Sequence, residues 1–295
     1  MNGLHIIWFR NDLRVHDHAA LRGACYAAER DGGEVLALFI DAPERGADAD
    51  PQHLLMALGE LRTGLEQRGA LLHIREGQAD EVLSDLHRLH GVRSLHTHEL
   101  PYDDLEAAPI ESWALRAGVA FQVYPQFGPG TAPDAFTSSQ DHWTEYMARP
   151  RFETPEITAA ANVGIGRGLL SGEEAEPGAV GGRREAIRRF RDFLGSVSDP
   201  QRIAITEADS GAAFYAQLKP FLRLGVLSVR EVWQAATSAH HQMLEAGQDI
   251  RAASIKSLLR RLPDLHQTHP PLQGSRQVRN AHGRPSRGQQ LSLGL

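Results

Sequence analysis

The sequence predicts an α/β fold: a five-stranded parallel sheet domain followed by an all-helical domain that is incomplete. Three observations predict it. Short apolar runs alternate strictly with helical patterns from Leu4 to Tyr124. The run Val35 to Ile40 (VLALFI) is apolar throughout, as a strand covered on both faces must be. After Pro125 the strand pattern is lost, and from Arg183 only helical periodicity returns. Parallel neighbours need crossover connections, so this alternation puts helices on both faces of the sheet.

The elements follow in order. Leu4 to Phe9 is the first strand, and Ala19 to Arg30 the first helix. Val35 to Ile40 is the second strand. Pro51 suits the first turn of a helix, and Leu54, Leu55, Leu58, Leu61 and Leu65 recur at three- and four-residue spacing behind it. Leu71 to Arg75 is the third strand, and Ala79 to His90 a helix with Val82, Leu83, Leu86 and Leu89 on one side. Ser94 to His98, a helix over Leu105 to Ala117, and Ala120 to Tyr124 complete a Rossmann-like sheet over residues 1–127, whose ligands belong at the carboxyl ends of the strands. Residues 128–181, rich in Gly and Pro, read as a connector, with Phe136 to Tyr146 its one segment of packed composition. Helical pattern resumes over residues 182–262, at Arg183 to Leu194, Ala212 to Leu224 and Val229 to Leu244. Residues 263–295 carry no periodicity and read as a basic, disordered tail.

Composition narrows the function classes. The chain has 295 residues, 41% hydrophobic and 23% charged, with a formal net charge of -6, which argues against a general polyanion binder. The single cysteine, Cys25, excludes an internal disulfide and a cysteine-built metal site, and fits the cytoplasm. No signal peptide is read, and no apolar run approaches the roughly 20 residues that span a bilayer. There is no phosphate loop of the G-x-x-x-x-G-K-[ST] type; Gly164 to Gly168 (GIGRG) follows no strand and reads as a flexible loop. Of the 15 histidines, His96 and His98 share one face of the fourth strand, His87 and His90 one face of a helix, and His240 adjoins His241; none has a metal-ligand spacing, so no metal is expected. Arg10 to Asp17 (RNDLRVHD) alternates charge at the crowded end of the first strand, which suits an internal ion-pair network or a ligand contact.

Four segments resemble one family. Trp8-Phe9-Arg10-Asn11-Asp12-Leu13-Arg14, continuing to Leu21, closely resembles the opening signature of DNA photolyases and cryptochromes, most of all the DASH type; His18 stands where that signature usually has Asn. Pro133 to Thr137 (PDAFT) is similar to a segment after the DASH sheet domain. Gly181 to Ala186 with Arg189-Phe190 is similar to the family's G-G-E helix, with Arg183 in place of Glu. Pro220 to Trp233 resembles the S-P-x-L-x-x-G-x-[IL]-S-x-R segment.

The resemblance implies light-driven, FAD-dependent repair of cyclobutane pyrimidine dimers in damaged DNA by a deoxyribodipyrimidine photo-lyase. In that reaction excited reduced flavin lends an electron to a flipped-out lesion, and a folate or deazaflavin antenna sits near the sheet. By position, Glu106 corresponds to the folate-binding glutamate, and Lys219 is the cation left where the family's hydroxyl-rich FAD phosphate cradle falls, here Tyr215 to Lys219. The later flavin helices have no counterpart in Ser254 to Leu295, so the chain reads as truncated in the FAD domain and assigns no catalytic residue. Two functions stay open: a photolyase, or a catalytically inactive remnant that binds an antenna chromophore or a partner. An unfinished helical domain would also leave Phe190, Phe193, Leu222 and Trp233 partly exposed, favouring self-association.

Overall fold

The computed structural model describes residues 3–42, 50–100, 107–128, 139–160, 175, 180–198 and 210–265. Five parallel strands, β1 (Leu4–Phe9), β2 (Glu34–Asp41), β3 (Leu72–Glu76), β4 (Val92–His98) and β5 (Ala120–Tyr124), form one sheet in the order β3-β2-β1-β4-β5. The crossovers are α1 (Ala19–Asp31), α2 (Pro51–Glu66), α3 (Ala79–His90) and α4 (Ala107–Ala117). The order reverses between β1 and β4, which makes their carboxyl ends the topological switch point, where such sheets usually bind ligands.

Alternation along the strands divides the sheet into two cores. Ile7, Phe9, Ala37 and Phe39 face α1 and α2; Ile6, Trp8, Leu36 and Leu38 face α3 and α4. The first core does not end at α2. It runs on without a break into a helical layer made of α5 (Ser139–Ala148), α6 (Gly182–Ser198), α7 (Ser210–Arg223), α8 (Val229–Glu245) and α9 (Asp249–Arg261). Two residues prepare this junction. Glu60 of α2 accepts the backbone N–H groups of Arg183 and Arg184, capping α6 from a neighbouring helix. Ser228 caps α8 in a full capping box with Glu231.

The structure corrects several expectations. Phe190, Phe193 and Leu222 are buried, so the partial exposure expected of them is not present, whereas Trp233 is half-buried as expected. The physical reason is a helix that periodicity did not reveal. α9 packs against α7 and α8 and covers them, with Ala252, Ile255 and Leu258 turned inward and Gly211 of α7 letting the α9 backbone approach closely. The packed part runs past residue 262, because Leu262–Leu265 form a 3-10 turn with Leu265 buried in the core. Within the connector, Val35 donates to Thr158 O and accepts from Ala160 N, so residues 158–160 pair with β2 before β3 has begun. Glu106, Pro133 to Thr137, Gly164 to Gly168 and residues 266–295 lie outside the described residues. No helix is long and apolar enough to cross a membrane, among the described residues.

Candidate functional site at the carboxyl edge of the sheet

The turn after β1 enters the switch-point crevice and fills it with its own side chains. Arg10 lies over the Trp8 ring at 4.7 Å; its Nε donates to Thr97 Oγ1 (3.2 Å) and its Nη2 to the His98 carbonyl (2.9 Å). Asp12 accepts from the Arg10 backbone N–H (2.7 Å) and from His98 Nδ1 (2.9 Å). The two possibilities left open for Arg10 to Asp17 thus meet a network of internal pairs.

The same turn ties the sheet to the helical layer. Leu13 N donates to Leu224 O and Asn11 Nδ2 to Arg223 O. Arg14, buried, donates to Gly225 O (2.9 Å) and to Gln126 Oε1 (3.3 Å). Asp17 stands at φ 47°, a left-handed conformation that Asp tolerates better than most residues. There its carboxylate takes the Ser228 hydroxyl (2.6 Å), Arg230 Nη1 (2.8 Å) and the Phe152 N–H (3.0 Å). The Arg230 guanidinium lies over the Tyr146 ring at 4.7 Å. Burial pushes the Asp17 carboxyl up, but the Ser228 and Arg230 donors outweigh it and hold it below the usual carboxylate range.

Asp12, His18 and His98 bring three ligand-type atoms within 4.8 Å of one another, all buried, and so form a candidate metal centre by count. Their hydrogen bonds argue otherwise. His18 is the N-cap of α1, and its Nδ1 accepts the Leu21 N–H at 3.0 Å, as an Asn cap would. With Nδ1 an acceptor, the ring proton sits on Nε2, which faces Asp12 Oδ2 at 3.0 Å, off the line of the N–H. A metal on Nε2 would need that proton moved to Nδ1, against the helix cap. We therefore read the trio as a hydrogen-bonded cluster. It also explains how His can stand where the resembling signature has Asn.

The histidines here are held neutral. Burial lowers His96 to about 4 and His98 to about 3. The unfolded chain, with ordinary imidazoles near 6.5, binds more protons than the native state below that pH. Stability is therefore expected to be full above pH 6.5 and to fall as pH drops toward 4, with His96 alone contributing on the order of 3 kcal/mol to the loss. Urea midpoints measured from pH 7.5 to 4.5 check this, and His96→Gln should flatten the slope.

Lys219, the expected phosphate partner, is half-buried on α7 and does not meet the carboxyl-edge network. The cradle position Tyr215 to Lys219 lies inside that helix, where backbone N–H groups are already used. Tyr215 and Leu218 turn into the core, and the Tyr215 hydroxyl is buried without a partner among the described residues. These residues do not fit a pyrophosphate. Among the described residues, the small cleft bordered by Arg14, His98, Gln126, Tyr146, Phe152 and Arg230 is too narrow for a flavin ring.

A doubly covered parallel sheet, its first turn locked to a helical layer, is an α/β fold of the kind seen in a bacterial class III photolyase from Agrobacterium tumefaciens. That structure superposes with a TM-score of 0.64 at 20% identity, covering 91% of this chain and 60% of its own. A Synechocystis cryptochrome gives 0.64 at 19% identity, over 88% and 60% of the two chains. Residues 5–154, half of the chain, match the DNA photolyase family, and the protein belongs to it. Similar proteins include a blue-light photoreceptor, PHR2, of Arabidopsis thaliana (24% identical, 77% of this chain, 59% of that protein). A deoxyribodipyrimidine photo-lyase of Synechococcus is 24% identical, over 80% of this chain and 54% of that protein. A cryptochrome DASH of Gloeobacter violaceus is 26% identical, over 77% and 52%. The chain thus spans between half and three fifths of the length of these relatives.

Proposed function

We propose that this protein serves the light-driven repair of cyclobutane pyrimidine dimers in damaged DNA. In this reading the described residues supply the light-collecting scaffold and not the flavin enclosure. The observation that carries it is the tether: residues 10–17 fix α7 and α8 over the carboxyl edge of the sheet in one register. Bound FAD would supply the electron in such a reaction. This chain's own contribution is to hold the two layers and to keep water out of the junction. An antenna pigment, folate or deazaflavin, belongs on the sheet side, with Glu106 its proposed contact. Cys25, single and buried, goes with a cytoplasmic setting.

A second reading, a module that binds a chromophore or partner without doing chemistry, is favoured by one observation: the closed helix at Tyr215 to Lys219. Absorption spectra and repair assays separate the two. Flavin bands in the purified protein, with blue-light loss of dimers from an oligonucleotide, support the repair function for this chain alone. A near-ultraviolet pigment band without repair supports the module. A colourless protein that gains neither pigment nor repair on incubation with FAD and folate sinks the repair function for this chain alone and leaves the module as a partner binder.

A further inference from the structure

Beneath α1, away from the tether, a chain of buried polar groups crosses the sheet. His5 Nδ1 lies 2.7 Å from Ser94 Oγ, Ser94 Oγ 2.7 Å from His96 Nε2, and His96 Nδ1 3.0 Å from the Tyr124 hydroxyl. At the far end His5 Nε2 has no hydrogen-bond partner among the described residues and stands 3.9 Å from Asp31 Oδ2, an ion-pair distance, and Asp31 reaches solvent. His5, Ser94 and His96 are buried; Tyr124 is half-buried at the end of β5. Gly23 makes room for this. A Cβ there would collide with the Tyr124 hydroxyl, so α1 carries a glycine, at a cost in helix propensity, where the phenol enters.

The order of the protons follows from both ends. Tyr124 Oη has no other hydrogen-bond partner among the described residues, so its proton is used only if it donates to His96 Nδ1. At the other end the Asp31 carboxylate favours the proton on His5 Nε2, leaving His5 Nδ1 to accept. Ser94 has one hydrogen, and both ends require the same arrangement: His96 Nε2–H donates to Ser94 Oγ, and Ser94 O–H donates to His5 Nδ1. Burial raises Tyr124 to about 12 and lowers His96 to about 4, so at neutral pH the pair is a phenol beside an empty imidazole base.

We propose that Tyr124 is a redox-active tyrosine, with His96, Ser94, His5 and Asp31 as its proton exit. The co-reactant is a light-generated one-electron oxidant, an excited or photo-oxidised aromatic chromophore that reaches the half-buried ring. Tyr124 gives one electron to it and its hydroxyl proton to His96 Nδ1. His96 passes its Nε2 proton to Ser94 Oγ, Ser94 passes its own to His5 Nδ1, and His5 releases its Nε2 proton across the 3.9 Å gap to the Asp31 carboxylate, through entering solvent. One neutral tyrosyl radical, one reduced oxidant and one released proton balance the step; return of the electron runs it backwards. The polar chain stands apart from any flavin pocket; a natural oxidant rests on the light-collecting reading above, and the test supplies its own, so the two can fail separately.

The test is flash photolysis of the full chain with tris-bipyridyl ruthenium and a sacrificial acceptor, read by transient absorption and electron paramagnetic resonance. Wild type should give a neutral tyrosyl radical that Tyr124→Phe removes, forming more slowly in deuterium oxide. Ser94→Ala leaves the Tyr124–His96 bond but cuts the exit, and should slow formation about tenfold, the worth of roughly one hydrogen bond in the barrier. His96→Leu should slow it at least as much. The proposal is overturned if the radical persists in Tyr124→Phe, or if Ser94→Ala oxidises at the wild-type rate. It is equally overturned if wild type shows no solvent isotope effect, a readout that needs no variant to fold.

Discussion

Gly225→Ala is expected to undock the helical layer from the sheet, with a loss of roughly 3–5 kcal/mol in unfolding free energy and a midpoint lowered by about 10 °C. Two effects add at this position. Gly225 has φ 66°, which costs an L-residue about 1–2 kcal/mol. A Cβ there also collides with the Asn11 carbonyl oxygen and crowds the Asp12 backbone, and neither is the far end of a flexible side chain. Relieving that contact means moving the turn that carries Asp12 and Arg14, both buried and fully engaged. Gly247 supplies the control: it has φ 67°, but a Cβ there meets nothing within 4 Å. Gly247→Ala should therefore show only the backbone term, about 1 kcal/mol. Calorimetry of the two variants separates strain from collision, and equal losses would mean that the docking contact carries no weight.

Asp17→Ala is the second large effect, expected at about 3–5 kcal/mol. It leaves Arg230, only 6% exposed, as an uncompensated buried cation, and strips the Ser228 hydroxyl and Phe152 N–H of their acceptor. Arg230→Ala should cost less, because Asp17 keeps Ser228 and the Phe152 amide. The double variant should be more stable than the sum of the two losses predicts, since the charge left behind is then removed. Additive losses in denaturant titrations would show that the pair is not coupled. On acidification this tie is lost as the pH falls from the ordinary carboxylate range through the depressed Asp17 value, whereas the buried histidines begin to cost stability already below about pH 6.5.

The sheet domain was legible because its signals are local. Period-2 and period-3.6 patterns, short turns and one continuous apolar run at β2 fix order and direction without knowledge of the rest. The helical layer was legible only where its apolar stripe is dense, as on α6 and α8. α9 escaped notice because its inward residues Ala252, Ile255 and Leu258 are diluted by Arg251, Lys256, Arg260 and Arg261. Their three-residue spacing was the available signal. The charge alternation of residues 10–17 pointed to pairing, but not to Ser228 and Arg230, which lie 211 and 213 residues away. Nor does any local rule say that His98, on β4, closes onto Asp12. The shared face of His96 and His98 was visible as period-2 spacing, yet the bonds of His96 to Tyr124 and, through Ser94, to His5 span three strands and appear only once the register is known.

The long reach of the tether bears on how the molecule is made. Arg14 and Asp17 leave the ribosome more than 200 residues ahead of Gly225, Ser228 and Arg230. At 5–20 residues per second, that is a wait of roughly 10–40 s with charged groups lodged at a half-built junction. The nascent sheet must tolerate this interval, open at one side and sticky, until the last helices arrive to close it.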